Sequence, residues 1–193
     1  MNFLAHLFLS FDDEHLLVGN FIADDIANQE VKTLPESIQK GVVLHRKIDS
    51  FTDKHPKVLE SARFLYPLHG KYAPVLLDVF YDFLLANNWE KYAEEPFEVF
   101  VQKTYLALQE KSAWFPKMLR ERLPYMIADN WLAKYATREG LEFVFDKMLR
   151  RVSKPALFEN ATDTLLAHRP FFEENFNRFF PEIIEFVKTE IKD

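Results

Sequence analysis

Gly41-Val-Val-Leu-His-Arg-Lys-Ile-Asp-Ser-Phe-Thr-Asp53 sets His45, Asp49 and Asp53 four residues apart among apolar neighbours. In a helix, side chains at that spacing stack one turn above another on a single face. The stretch therefore reads in one of two ways, as a solvated polar stripe on an amphipathic helix or as a ladder of metal ligands. Pro35 suits a first helical turn and Pro56 follows the end, which places this helix at about residues 35–54.

Working outward, residues 2–9 read as a short apolar helix whose polar side chains are Asn2 and His6, again four apart. Asp12 and Asp13 can cap a helix over about 13–27, which carries Asn20 and Asp24 at the same spacing. Asp25 is turned about 100° away from them. Gly19 would let another backbone approach this helix closely. A helix over about 56–68 stops at His69-Gly70, and the next, about 72–86, is apolar all round except for Asp78, Asp82 and tyrosine hydroxyls. Such a helix is buried. Further helices are expected at about 96–112, 116–134, 138–152 and 156–190, the last kinked or broken at Pro170 and Pro181.

Composition agrees with this reading. With 4 glycines, 20 phenylalanines and no sustained alternation, the 193 residues predict an all-α, single-domain bundle of about eight to ten helices spanning 1–193. The chemistry is concentrated in residues 1–82. A net charge of −6 argues against general nucleic-acid or anionic-membrane binding. No apolar run is long enough to span a bilayer, and the N-terminus has neither a basic region nor a cleavage site, so no membrane insertion and a cytoplasmic location are expected. The absence of cysteine leaves His, Asp and Glu as metal ligands. Such ligands favour Mn2+, Mg2+ or Fe2+ over structural zinc.

Four helices thus carry polar pairs at the same spacing: Asn2 with His6, Asn20 with Asp24, His45 with Asp49, and Asp78 with Asp82. An ionised carboxylate buried without a partner costs several kcal/mol, so something cationic must compensate. Arg46, Lys47 and Arg63 are candidates, but Lys32 is the one basic residue before Gly41 apart from Lys40. A divalent ion, or a pair, held by His6, Asp24, His45, Asp49 and Asp78 would satisfy the set together. Asp82 is open to a second use, capping a helix or bonding a tyrosine. Asp25 and Asp53 read as solvated or as outer partners of the ligands.

Met1-Asn-Phe-Leu-Ala-His6, Gly19-Asn-Phe-Ile-Ala-Asp24, His45-Arg-Lys-Ile-Asp49-Ser-Phe-Thr-Asp53 and Leu77-Asp-Val-Phe-Tyr-Asp82, in that order, resemble the acyl carrier protein phosphodiesterase family. The resemblance implies an HD-domain-like helical fold of an unusual kind, because Arg46 follows His45 and the aspartate comes four residues later at Asp49. It also implies hydrolysis of the 4′-phosphopantetheine group from holo acyl carrier protein, with Mn2+ the first choice of metal. In that reading Arg46, Asn20 and Arg63 bind substrate, Arg46 through its planar fork, and Asp82 orients a ligand or acts as base. The alternatives are an HD-type hydrolase of a small phosphoester and a non-catalytic module that binds a carrier protein. For an acidic partner, Lys147, Arg150, Arg151 and Lys154 would share one helical side and form a docking face. The same residues also read as the basic end of a helix, favourable to its dipole. The phenylalanine excess reads mainly as core, with an acyl channel as the alternative.

Overall fold

A computed structural model describes residues 2–150 and 152–192, and its elements are helices with no strand among those residues. The α-helices are α1 (Phe3–Phe8), α2 (Glu14–Ile22), α3 (Asn28–Val31), α4 (Glu36–Lys54), α5 (Pro56–His69) and α6 (Ala73–Asn87). They continue as α7 (Phe97–Glu110), α8 (Lys117–Ala128), α9 (Trp131–Lys134), α10 (Arg138–Leu149), α11 (Ala161–Ala167) and α12 (Arg169–Lys192). Short 3-10 turns join several of them. The all-α expectation holds. There are more segments than expected because two of the longer helices are interrupted and the short α3 forms ahead of α4.

Each interruption has a local cause. The helix expected over 116–134 divides at Asn130, whose φ of 48° is left-handed and ends α8 before α9 begins. The helix expected over 156–190 begins as a 3-10 turn and breaks at His168, just before Pro170. Pro181, in contrast, lies inside α12 without ending it. The second helix ends at Ile22 rather than near residue 27, so Asp24 and Asp25 sit in the turn beyond it.

The central pair is α2 and α4, which approach backbone to backbone. A Cβ on Gly19 would lie 2.3 Å from the Ile38 carbonyl oxygen, and one on Gly41 would lie 2.5 Å from that of Leu16. Only glycine fits at either position. Around this pair α6 is buried on nearly every side, from Leu76 and Leu77 through Phe80 and Tyr81 to Leu85, as its sequence predicts. Helix α12 covers the core with Phe172, Phe176, Phe179 and Phe180, all fully buried and in ring contact with Phe80, Tyr81, Tyr92 or one another. The buried apolar side chains form one cluster running from Leu4 to Val187.

Candidate metal centre

Helix α1 is too short to be stable by itself, so its position depends on its caps. The Phe3 amide donates to Asn2 Oδ1 at 2.9 Å, while the Leu4 and Ala5 amides donate to Asp82 Oδ2 and Oδ1 at 2.8 and 3.1 Å. Asp82 is fully buried, and burial raises its pKa to about 7 although both amide bonds favour the anion. Its two oxygens are thus committed to the backbone of α1. These bonds show the capping reading of Asp82, and through them it fixes the helix that carries His6.

His6 from α1 and His45 from α4 stack ring on ring, their centroids 3.9 Å apart and their planes within 13°. Both are buried. His6 Nε2 faces Asp49 Oδ1 at 3.1 Å. His45 Nε2 lies 3.2 Å from both Asp49 Oδ2 and Asp24 Oδ1. The two Nε2 atoms therefore converge on the two oxygens of one carboxylate, with Asp24 reaching in from the turn after α2. Asp49 and Asp24 are more open, with side chains 39% and 78% exposed.

The other ring nitrogens determine what the Nε2 atoms can do. Ser10 Oγ donates to the His6 carbonyl at 3.1 Å and accepts from Asn20 Nδ2 at 3.0 Å, which turns Asn20 Oδ1 toward His6 Nδ1 at 3.3 Å. The backbone carbonyl of Asn20 faces His45 Nδ1 at 3.0 Å. Carbonyl oxygens only accept, so the network assigns a proton to each Nδ1 and a lone pair to each Nε2 of a neutral ring. Lone pairs aimed at carboxylates repel unless a proton or a cation lies between them. Burial lowers the pKa of His6 to about 4. Burial also acts to lower that of His45, but its bonds to Asp24 and Asp49 prevail and raise it to about 9. The bonds to the two histidines outweigh burial at Asp49 and hold its pKa well below the usual carboxylate range, and the bond to His45 lowers that of Asp24. Two stacked imidazoles thus hold one proton where a divalent cation could replace it. Among the described residues, His6, His45 and Asp49 offer ligand atoms all within 4.8 Å of one another. Borderline nitrogen with carboxylate oxygen is a donor set suited to Mn2+, Mg2+ or Fe2+.

The expected site residues are only partly brought together. Asp78 from α6 lies outside that group of three, and burial raises its pKa. Arg46 is exposed on α4 and donates to Asn28 Oδ1 at 2.6 Å, and Arg63 is exposed on α5. The proposed docking face is not one helical side, because α10 ends at Leu149 and Lys154 follows in an irregular segment. Lys147 and Arg150 instead line a groove that reaches Asp24. Arg151 lies outside the described residues. Sequence reasoning passed over Ser10, which orients Asn20. The one signal was a buried-looking hydroxyl at the end of an apolar run.

Fold and site together define an all-helical protein in which two histidines and a carboxylate are placed so that they could hold a metal ion. The family model described as acyl carrier protein phosphodiesterase matches residues 1–183, and the chain belongs to that family. A relative from Pectobacterium atrosepticum, named acyl carrier protein phosphodiesterase, is 28% identical over 191 residues, covering 98% of this chain and 99% of its own. Proteins of the same name from Photorhabdus laumondii and Enterobacter sp. are each 27% identical, covering 100% and 98% of this chain and 97% and 99% of their own. No solved structure matches the chain. Among the described residues, no helix is long and apolar enough to cross a membrane.

Proposed function

We propose that the protein is a metal-dependent phosphodiesterase that hydrolyses the 4′-phosphopantetheine group from holo acyl carrier protein. Family membership supports the reaction and the carrier protein as substrate partner. The observation that carries the metal is the convergence of His6 Nε2 and His45 Nε2 on the Asp49 carboxylate, each ring held from behind by an oxygen of Asn20.

Hydrolysis adds the oxygen of water to phosphorus, breaks the bond from phosphorus to the carrier's serine oxygen and returns a proton to that oxygen. His6, His45, Asp49 and Asp24 would hold the divalent ion, which when bound would supply an activated water and offset charge on the phosphoryl oxygens. The residues of the chain prepare for this. Asn20 fixes both imidazoles with their lone pairs inward, as outer hydrogen bonds do for metal-bound histidines. Asp49 stays anionic throughout the neutral range. Asp24, on a turn and more exposed, faces the small cavity over the rings that Asn2, Phe3 and Phe21 also line. Arg46, the residue after His45, is bonded to Asn28 on α3.

The test is to incubate the protein with holo carrier protein and Mn2+ and follow the intact mass of the carrier. Loss of the phosphopantetheine mass, abolished by EDTA and by His45→Ala, is expected. Conversion that persists in EDTA overturns the metal assignment, and a carrier of unchanged mass overturns the reaction.

A further inference from the structure

The cavity over the two histidines is only about 20 Å3, too small for more than a water or a few atoms. Whatever follows the phosphate in a substrate must lie elsewhere. Three larger grooves indent the surface. One, beside Lys54 and Phe186, and another, beside Lys40 and Glu190, share no lining residue with the histidine cavity. The third has a volume of about 550 Å3 and shares Asn2, Phe3 and Asp24 with it. That volume is in the range of about 300–1,000 Å3 typical of sites that enclose a small organic ligand.

The lining of this third groove is specific in its chemistry. Past Asp24 its walls are Tyr125 and Met126 from α8, Trp131 from α9, and Phe143, Val144 and Met148 from α10. Tyr125 is 73% exposed, so its ring is open to a ligand in the groove. Besides Asp24, the groove is lined by charged groups of both signs, of which two have contacts of their own. Arg122 Nη2 donates to Asp25 Oδ2 at 3.1 Å, and the Lys147 ammonium sits 4.9 Å from the centre of the Phe143 ring. Asp129 and Arg150 complete the polar lining.

We infer that this groove takes the pantetheine arm, with its phosphate end at Asp24 and its sulfur end between the aromatic and methionine side chains of α8 to α10. The inference rests on the phosphodiesterase reading above and assigns its substrate a binding site. Between phosphate and sulfur the arm is uncharged, with a gem-dimethyl group, a hydroxyl, two amides and short methylene runs. A chain of that kind suits a wall of aromatic and thioether side chains with a few hydrogen-bonding groups and no ionic partner.

The probes are 4′-phosphopantetheine and inorganic phosphate, each titrated calorimetrically into the intact Mn2+-loaded protein. Two variants alter the groove in opposite ways. Tyr125→Ser removes an exposed wall, and Met148→Trp fills the space, with circular dichroism checking that both keep their helix content. Binding of 4′-phosphopantetheine should weaken at least tenfold in Met148→Trp and severalfold in Tyr125→Ser, while the affinity for inorganic phosphate stays within twofold. Equal weakening for both probes overturns the inference, because the variants would then be acting on the metal cluster. Unchanged affinity for the arm, or no binding of the arm to the parent protein, overturns it as well. The outcome is separate from that of the reaction: a groove that binds the arm in a protein that leaves holo carrier intact refutes the phosphodiesterase reading and leaves the groove assignment standing.

Discussion

Replacing Gly41 by alanine tests whether the contact between α2 and α4 is what builds the site. The new Cβ would lie 2.5 Å from the Leu16 carbonyl oxygen, 2.8 Å from the Gly19 Cα and 2.9 Å from the Leu16 Cα, all backbone atoms that no rotamer change can move. Ordinary contact begins at 3.4 Å, so the helices must separate locally by about 3.4 − 2.5 = 0.9 Å. His45 follows Gly41 by one turn, and its Nδ1 bonds the Asn20 carbonyl, one residue after Gly19, at 3.0 Å. Adding the separation stretches that bond to about 3.9 Å, beyond hydrogen-bonding range. Overpacking costs about 1–3 kcal/mol, and alanine returns about 1 kcal/mol in helix propensity. The net loss of about 0–2 kcal/mol lowers Tm by at most about 8 °C in a chain of this size. Metal affinity should respond more sharply, by about 10–100-fold, as when an outer partner of a ligand is lost. Mn2+ titration beside thermal denaturation reads both quantities. A variant that binds Mn2+ as tightly as the parent and melts at or above its temperature refutes the reasoning, since propensity would then be the whole effect.

Three further outcomes follow from the same geometry. Asn20→Leu, similar in size but unable to accept from His6 Nδ1, should lose about 10–100-fold in Mn2+ affinity while keeping its helix content; unchanged affinity would show that Asn20 plays no part in orienting the ring. Asp82→Ala leaves the buried Leu4 and Ala5 amides without acceptors, at about 1–3 kcal/mol each, and should lower the denaturation midpoint even without metal; a midpoint equal to that of the parent would refute the capping role. The third concerns pH. The folded pKa of His45, about 9, lies above its ordinary 6.5, so in metal-free protein its proton stabilises the fold fully below about pH 6.5, and this contribution is lost as pH rises through 9. A bound metal must displace that proton, whereas His6, lowered to about 4, is already neutral. Apparent Mn2+ affinity should therefore rise about tenfold per pH unit between pH 7 and 8.5, reflecting one proton displaced, and the Tm gap between metal-loaded and metal-free protein should widen over the same interval. A flat affinity profile across that range would remove His45 from the ligand set.

How far the sequence could be read depended on whether a residue's role is local. The ladder on α4 and the apolar surround of α6 are set by neighbours in the chain and are found where periodicity places them, while Pro35, expected in the first turn of α4, caps it one residue earlier. Helix ends were harder. A left-handed Asn130 stops α8 and α12 runs through Pro181, and the apolar spacing around each signals neither outcome. The same distinction runs through the site. His6, His45 and Asp49 were legible as ligand types at helical spacing, but Asp78 and Asp82 share that spacing too. What separates them is which helix each one faces: Asp82 faces the open amides of α1, whereas Asp49 faces two imidazoles.

Asp24 shows how spacing can suggest the right neighbour for the wrong reason. Its distance from Asn20 predicts a shared helical face, yet α2 stops at Ile22 and Asp24 belongs to the turn. It meets His45 because Gly19 and Gly41 bring the two backbones together just before that turn. Leaving the helix also makes Asp24 the most exposed carboxylate of the cluster and puts it on the wall of both the histidine cavity and the large groove. A helical Asp24 would have been held to the axis of α2. One on the turn stands clear of that axis, so the end of α2 at Ile22 is what sets a carboxylate beside His45 on the wall shared by the histidine cavity and the large groove.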